Sequence, residues 1–349
     1  ITVSSSGENR FQLEMTDARI QNLELSQGTW EIVLNGSNEL EGKGKDFSGC
    51  GLRINDYASA TIKAEPESAS LTVKNSPTTR DASSGIVVSG SLTIESGTIK
   101  AIAYAEQNSD QVSGSIVVKS KGTLNINGCS VTATGTHKNG VYVRNNFQMT
   151  GGSLKVTGSG KPGIENVGNF NLLDGTISTK SNSDGIGFLQ GGGSATIQAR
   201  ELITDRLCIT NSSFTVASGG KVTSGSTIIK SGSTLTNEGE FVSNGPFVKN
   251  EKGTFINKGT ISGSGSLPED AKQTPDPITG YTKKISIDYN KNMSINVQNL
   301  AGIHKPDRAG NLQYELAEYT GSDKGVGTID KETGQLKVDR AGVFKIKVN

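Results

Sequence analysis

Eight residues with side chains suited to ligand binding or catalysis fall in the polar segments in the middle of the chain. They combine aromatic rings, carboxylates and nitrogen bases: Tyr104, Glu106, Asp110, His137, Lys138, Tyr142, Lys161 and Asp184. An aromatic face that stacks on a sugar ring, next to fixed polar groups, is the composition that carbohydrate recognition requires. If the fold brings these segments to one side, the set predicts binding of a polysaccharide or another glycan. The alternative for each residue is a solvated loop position without a ligand.

Two catalytic chemistries compete with this prediction. Glycoside hydrolysis needs two positioned carboxyl groups, and a polysaccharide lyase needs a Ca²⁺ site of several acidic residues plus a base. Before position 268 the acidic residues are scattered, and no strand of clear register carries an acidic-x-acidic pair. A catalytic His137 would need an acid or nucleophile beside it, and no Ser or Cys motif identifies one. We therefore expect a non-catalytic protein, with a polysaccharide lyase or glycoside hydrolase as the alternative.

Ca²⁺ is the one cofactor for which the sequence offers candidate ligands. Asp110 and Asp184 could ligate Ca²⁺ together with loop carbonyls. No Asp-x-Asp-x-Asp motif and no nonapeptide calcium repeat occurs in the chain. The expectation is a protein without an obligatory cofactor.

The elements that must position the candidate residues are short strands in a repeated pattern. GVYVRNNFQMTGGSLKV begins at Gly140, GIENVGNFNLLDGTIST begins at Gly163, and a third pass begins at Gly185. Each pass holds three apolar segments separated by Gly or Asn, which is the signature of a parallel β-helix. We expect an all-β chain built mainly as a right-handed parallel β-helix, or solenoid. Asn237 and Asn257 occupy matching turns, where stacked amides form a hydrogen-bonded ladder.

Stacking the passes assigns a direction to each side chain, because residues alternate between the two faces of a strand. The predicted inward columns are apolar: Ile86, Ile116, Val141, Ile164 and Ile186 in the first strand, Leu92, Leu124, Phe147 and Phe170 in the second, and Ile99, Val131, Leu154 and Ile177 in the third. The predicted outward columns are polar: Thr93, Asn125, Gln148 and Asn171 in the second strand, and Lys100, Thr132, Lys155 and Ser178 in the third. A shift of one residue would exchange the two sets, so the pattern fixes the register.

In this register the loops after the third strands fall on one side of the solenoid. We call this side the loop edge; its segments are AYAEQNSDQ, TGTHKNG, TGSGKPG and SNSDG. The loop edge gathers seven of the candidate residues, and Tyr142 is expected on the adjoining outward column. The segment Ala195–Val216 departs from the pattern and predicts a bulged coil or a surface excursion.

A domain boundary is predicted at PEDAKQTPDPITG, residues 268–280, which holds three of the eight prolines. Residues 1–267 would be the solenoid, with residues 1–25 as an N-terminal cap that covers the open core. Residues 281–349 would be a small antiparallel domain. KISIDYNKNMSINV predicts a hairpin there, and GTIDKETGQLKVDRAGVFKIKV predicts three short strands.

Composition excludes several partners and compartments. The chain has 35 basic and 34 acidic residues, so it has no charge footprint for nucleic acid or an anionic membrane. No apolar run is long enough to insert into a membrane. We also expect the chain to be a monomer. Ile1 stands where a Met would begin a chain, so the numbering is expected to start after a removed signal or at a chosen boundary. Cys50, Cys129 and Cys208 show no metal-ligand spacing and are predicted to be buried apolar fillers.

Two resemblances complete the prediction. About the last 40 residues, through Ile329-Asp330, Thr333-Gly334-Gln335-Leu336 and Ala341-Gly342-Val343-Phe344, resemble bacterial immunoglobulin-like and cadherin-like repeats of cell-surface proteins. That resemblance implies an Ig-like β-sandwich stalk. SGSLTIESGTI and NKGTI are similar to phrases of secreted β-helix proteins of Gram-positive and gut bacteria, some of which bind carbohydrate. Together they imply a secreted or cell-surface protein, with a purely structural adhesin or spacer as the third hypothesis.

Overall fold

We describe a computed structural model of the chain over residues 1–43, 49–76, 84–105, 114–182, 185–267, 294–297, 313–317, 322 and 324–348. The chain divides into two compact units, Ile1–Ala271 and Lys272–Asn349. The predicted linker at 268–280 and most of the predicted hairpin lie outside the described residues.

The first unit is built from short strands that follow one another around a single core. They are β1 (Thr2–Gly7), β2 (Arg10–Thr16), β3 (Arg19–Gln21), β4 (Leu23–Asn35), β5 (Ser37–Glu41), β6 (Leu52–Ala64), β7 (Ser70–Lys74), β8 (Ile86–Val88), β9 (Ser91–Ile94), β10 (Thr98–Tyr104), β11 (Gly114–Val118), β12 (Thr123–Thr136), β13 (Asn139–Val143), β14 (Asn146–Gly158), β15 (Ile164–Asn166), β16 (Asn169–Ser181), β17 (Phe188–Gln190), β18 (Ser194–Ile197), β19 (Arg200–Thr204), β20 (Leu207–Ile209), β21 (Ser213–Val216), β22 (Gly220–Ser224), β23 (Thr227–Ile229), β24 (Thr234–Asn237), β25 (Glu240–Ser243), β26 (Phe247–Lys249), β27 (Thr254–Asn257) and β28 (Thr260–Ser262). All of them except β1 pair in parallel with strands one coil away, so the predicted parallel β-helix is confirmed.

The strands form three parallel sheets along the solenoid. The first sheet stacks the beginnings of β4 and β6 with β8, β11, β13, β15, β17, β20, β23 and β26. The second stacks β2 and parts of β4, β6, β12, β14 and β16 with β9, β18, β21, β24 and β27. The third stacks β3, β5, β7 and β10, the ends of β12, β14 and β16, and then β19, β22, β25 and β28.

The inward columns of the second and third sheets have the predicted register. Phe147 pairs with Phe170, and their rings stack with centroids 4.3 Å apart. Phe170 in turn meets Phe188 edge to face at 5.0 Å, so aromatic contacts continue along the core. One member of the first column differs from the prediction, because Ile164 pairs with Phe188 and not with Ile186. Gly185 lies in the preceding turn with φ of 63°, so the strand begins two residues later than the sequence repeat indicates.

A corner between the second and third sheets is made by residues with left-handed backbone geometry. Gly128, Gly152 and Gly175 occupy it on successive coils, with φ of 85°, 82° and 96°. A Cβ at Gly152 would lie 2.1 Å from the Cys129 carbonyl oxygen, whereas a Cβ at Gly128 would meet nothing within 4 Å. Of these two positions, only Gly152 lies so close to the preceding coil that a side chain would overlap it.

Two segments of irregular sequence are more regular in the structure than expected. Within the predicted cap, only β1 is antiparallel, and β2 already pairs in parallel with β4. The segment Ala195–Val216 is an in-register coil rather than a surface excursion, since its strands pair with those on both sides. The Asn237 amide donates to Asn257 Oδ1 at 2.7 Å, which confirms the predicted ladder. All three cysteines are buried and unpaired, as predicted.

The second unit contains β29 (Ser294–Asn296), β30 (Tyr314–Ala317), β31 (Val326–Ile329), β32 (Gln335–Arg340) and β33 (Lys345–Val348). β32 pairs antiparallel with both β29 and β31, and β30 pairs antiparallel with β33. Val297, Tyr314, Leu336 and Val338 form its described core. The three strands predicted in the C-terminal phrase are therefore confirmed.

Candidate functional site

The loop edge is formed by the turns between third-sheet strands and the next first-sheet strands. Five predicted residues on or beside it lie within the described part of the chain: Tyr104, His137, Lys138, Tyr142 and Lys161. Glu106, Asp110 and Asp184 lie outside the described residues. The position of the five decides how much of the predicted site can contact a ligand.

Tyr104 offers an accessible aromatic ring on a fixed backbone. It ends β10, and its side chain is 42% exposed. The Asn75 side chain holds its backbone from both sides, accepting from the Tyr104 N–H at 2.9 Å and donating to the Tyr104 carbonyl at 2.8 Å. Because this backbone is already held in place, stacking of a ligand on the ring needs no further ordering of the backbone.

His137 and Lys161 follow Tyr104 on the next two coils. Tyr104 pairs with Thr136, so His137 lies on the next coil, one residue beyond the partner of Tyr104. His137 has φ of 55° and is half-buried. Lys161 is also half-buried, and its carbonyl accepts a hydrogen bond from Ser181 Oγ at 3.0 Å. These three residues form the accessible part of the predicted site.

Lys138 and Tyr142 differ from the prediction because both are buried. Lys138 has 0% exposure, and Tyr142 has 7%. Tyr142 does lie in the outward column of the first sheet, between Val117 and Glu165, but Val87 and Val117 of that column are buried as well. Parallel sheets are often covered on both faces, and on these coils an outward position in the first sheet is not a solvent position. In this conformation neither side chain can stack on a ligand.

Glu165 is a polar group of the same column that the predicted site omitted. Asn139 Nδ2 donates to Glu165 Oε2 at 3.0 Å. Burial raises the pKa of Glu165, while the Asn139 hydrogen bond and the charge of Lys161 oppose that shift. Burial also raises the pKa of Tyr142, and the nearby carboxylate adds to the effect. Asn139 is 3% exposed, and among the described residues its Oδ1 has no hydrogen-bond partner. The sequence signal for this cluster was a carboxyl that follows Val87, Val117 and Tyr142 in the same column.

Further along the loop edge, polar side chains connect neighbouring turns through hydrogen bonds. Asp205 accepts from the Ser181 N–H at 3.0 Å and from the Arg206 N–H at 2.8 Å. Arg206 Nε donates to Ser226 Oγ at 3.2 Å. These hydrogen bonds stabilise the turns of the loop edge.

Within the described residues, no group of three or more His, Cys, Asp or Glu side chains is arranged to hold a metal ion. Helices of sufficient length and apolarity to span a membrane do not occur in that part of the chain.

Comparison with known proteins gives no further assignment. No protein-family profile matches the chain, and no curated protein sequence matches it.

Proposed function

We propose that this chain is a non-catalytic secreted or cell-surface module that binds a polysaccharide or another glycan through the loop edge near Tyr104. The observation that carries the proposal is the exposed Tyr104 ring on its fixed backbone, with His137 and Lys161 on the next two coils. The ring supplies a stacking surface, and the imidazole and ammonium supply hydrogen bonds to sugar hydroxyls. In this proposal the second unit is an Ig-like stalk, supported by its antiparallel strands and the sequence resemblance.

A rigid row of coils suits a linear polymer. Each rung of a parallel sheet lies about 4.8 Å from the next, so contacts on three coils extend over about 10 Å. That length corresponds to more than one sugar residue, which favours an internal stretch of a chain over a single terminal sugar. Binding along the edge would require little rearrangement of the backbone.

Glu165 favours one alternative, a polysaccharide-degrading enzyme. A carboxyl whose pKa is raised by burial can remain protonated and act as a general acid. Glycoside hydrolysis would need a second carboxyl group at a suitable distance, and lyase chemistry would need a base. Glu165→Gln keeps the shape of the side chain and removes its acidity, so it separates this alternative from binding alone.

A panel of soluble polysaccharides tests these functions, scored for retention in affinity gels and for release of reducing ends or unsaturated products. We expect retention without product release, and at least a tenfold weaker affinity in Tyr104→Ala, since loss of a stacked ring costs on the order of 1.4 kcal/mol. Tyr57→Ala is the matched control, because Tyr57 is 83% exposed and lies away from the loop edge. Equal losses in both variants would refute the edge assignment.

The other outcomes are equally informative. Product release that disappears in Glu165→Gln would replace the proposal with the enzyme. Failure of every polysaccharide to retain the protein would favour a structural adhesin or spacer.

A further inference from the structure

The outer face of the second sheet is a regular array of uncharged hydrogen-bonding groups. Each of seven consecutive rungs, from Ser91–Thr93 on β9 to Thr234–Thr236 on β24, presents two outward side chains. All fourteen are Ser, Thr, Asn or Gln. Asn169 and Ser213 are exposed, and the other twelve are partly exposed. We call this array the amide–hydroxyl face.

The register gives this face two fixed repeats. Neighbouring rungs are separated by the spacing of hydrogen-bonded strands, about 4.8 Å, so seven rungs extend over about 29 Å. Within a rung the two outward residues are two positions apart, or about 7 Å. The array is therefore ordered in both directions along the sheet.

The face keeps unused hydrogen-bonding capacity. Asn169 Nδ2 donates to Asn146 Oδ1 at 3.1 Å, and Ser194 Oγ donates to Asn169 Oδ1 at 3.3 Å. The side chains of Gln148 and Asn171, on the same middle rungs, make no hydrogen bond to the described residues. A primary amide has two N–H donors and an oxygen with two lone pairs. The middle of the face can thus donate to and accept from a partner.

The charges and aromatic rings on and around this face limit the kind of partner that it can bind. Ionised side chains flank the face at its ends, where Lys63 pairs with Glu31 and Lys258 pairs with Glu238. The fourteen positions themselves contain neither a charge nor an aromatic ring. A charged polymer would find no counterion on this face, and an isolated sugar chain would find no ring for stacking. The complementary partner is neutral, rich in hydrogen bonds and itself ordered over several repeats.

We propose that the amide–hydroxyl face binds the surface of an insoluble N-acetylated polysaccharide. In such a solid, neighbouring chains stack through N–H···O=C bonds between acetamido groups. Stacking of this kind imposes the same repeat of about 4.8 Å that separates the rungs of the sheet. Amides occupy the middle rungs through Asn125, Asn146, Gln148, Asn169 and Asn171, where they can continue the acetamido stack. This inference rests on the proposed glycan-binding function but uses a different surface.

Sedimentation with insoluble chitin powder, compared with microcrystalline cellulose, tests the amide complementarity. Both solids are neutral β-linked glucan-type polymers, and only chitin carries acetamido groups. We expect the intact chain to bind chitin at least tenfold more tightly than cellulose. Equal binding to the two solids, or binding to neither, would overturn the proposal.

Variants on the sheet face test the location. Gln148→Lys with Asn171→Lys adds two charges to the middle of the face without altering the core, and should weaken chitin binding at least tenfold. Thr132→Lys with Ser178→Lys is the matched control, because it adds the same charges to the outer face of the third sheet. Unchanged chitin binding in the first double variant would overturn the proposal, provided that its far-UV circular dichroism matches the parent.

Tyr104→Ala separates this inference from the proposed function. Loss of soluble-glycan binding in Tyr104→Ala, with chitin binding kept, supports two separate surfaces. Loss of chitin binding in Tyr104→Ala but not in the Gln148/Asn171 variant would leave the loop edge as the glycan site and refute the sheet face.

Discussion

Replacing Gly152 with alanine should destabilise the solenoid more than replacing Gly128, although both glycines bend the chain at the same corner. Their φ angles are 82° and 85°, and an L-residue in that region costs about 1–2 kcal/mol at either position. Only at Gly152 would the new Cβ overlap a neighbouring coil, 2.1 Å from the Cys129 carbonyl oxygen. Relieving such an overlap in a packed interior costs about 1–3 kcal/mol more. We therefore expect losses of about 2–5 kcal/mol for Gly152→Ala and about 1–2 kcal/mol for Gly128→Ala.

Urea unfolding followed by two probes measures this difference. Far-UV circular dichroism reports the strands, and the fluorescence of Trp30, the single tryptophan, reports the N-terminal coils, where its ring stacks on Phe11 at 4.6 Å. Coincident transitions with an unchanged slope allow the midpoints to be converted into free energies of unfolding. A solenoid can lose coils separately, and divergent probes would then assign the loss to the coils around Gly152. Equal losses in the two variants would refute the stacked corner.

Three further changes test the core and its titrating groups. Phe170→Ala should lower the free energy of unfolding by about 3–5 kcal/mol, because it leaves a cavity between Phe147 and Phe188. Phe170→Leu should lower it clearly less. Equal losses in the two variants would contradict the aromatic stack. Burial raises the pKa of Glu165 above its ordinary value of 4.5, so the native state binds more protons than the unfolded state between these two values. Stability must then fall as pH rises through that window, and Glu165→Gln should show a smaller fall in unfolding midpoints. An identical pH profile would contradict the raised pKa of this partly buried carboxyl. Burial raises the pKa of Cys129 to about 11, so iodoacetamide near neutral pH should leave Cys129 unmodified by mass spectrometry until urea unfolds the chain, and rapid native labelling would contradict this.

Most of the fold could be predicted from the sequence because two patterns restrict which residues face the core. Side chains alternate along each strand, and equivalent residues stack in successive coils. Apolar residues recur at matching places in successive passes, and a shift by one residue would bury the polar set. That constraint placed Phe147 over Phe170 and left Gln148 and Asn171 on the outer face, as the structure has them. The error at Ile186 arose where the constraint is weakest, in a loop whose length the pattern does not fix. Phe188, two residues later, takes the core position.

The candidate site was harder to predict because alternation states which side of a strand a residue occupies, but not what lies beyond that side. Tyr142 was assigned correctly to the outward column of the first sheet, yet it is buried. The apolar Val87 and Val117 at the same column positions were the signal that this face is covered. Glu165 belongs to the same column, and its partial burial there raises its pKa. It was omitted from the predicted site because that site was placed on the exposed loop edge.

The two proposed surfaces differ in how binding is distributed, and mutation should therefore affect them differently. On the loop edge the proposed stacking surface is the single Tyr104 ring, so its removal deletes that contact altogether. On the amide–hydroxyl face equivalent groups recur over seven rungs, and a repetitive partner engages many weak contacts at once. A single neutral substitution such as Asn171→Ala removes one contact among many and should weaken chitin binding only a few-fold, measured by the same sedimentation assay. A loss as complete as that expected for Tyr104→Ala on soluble glycans would show that the face acts through one local site, and the argument from its periodicity would fail.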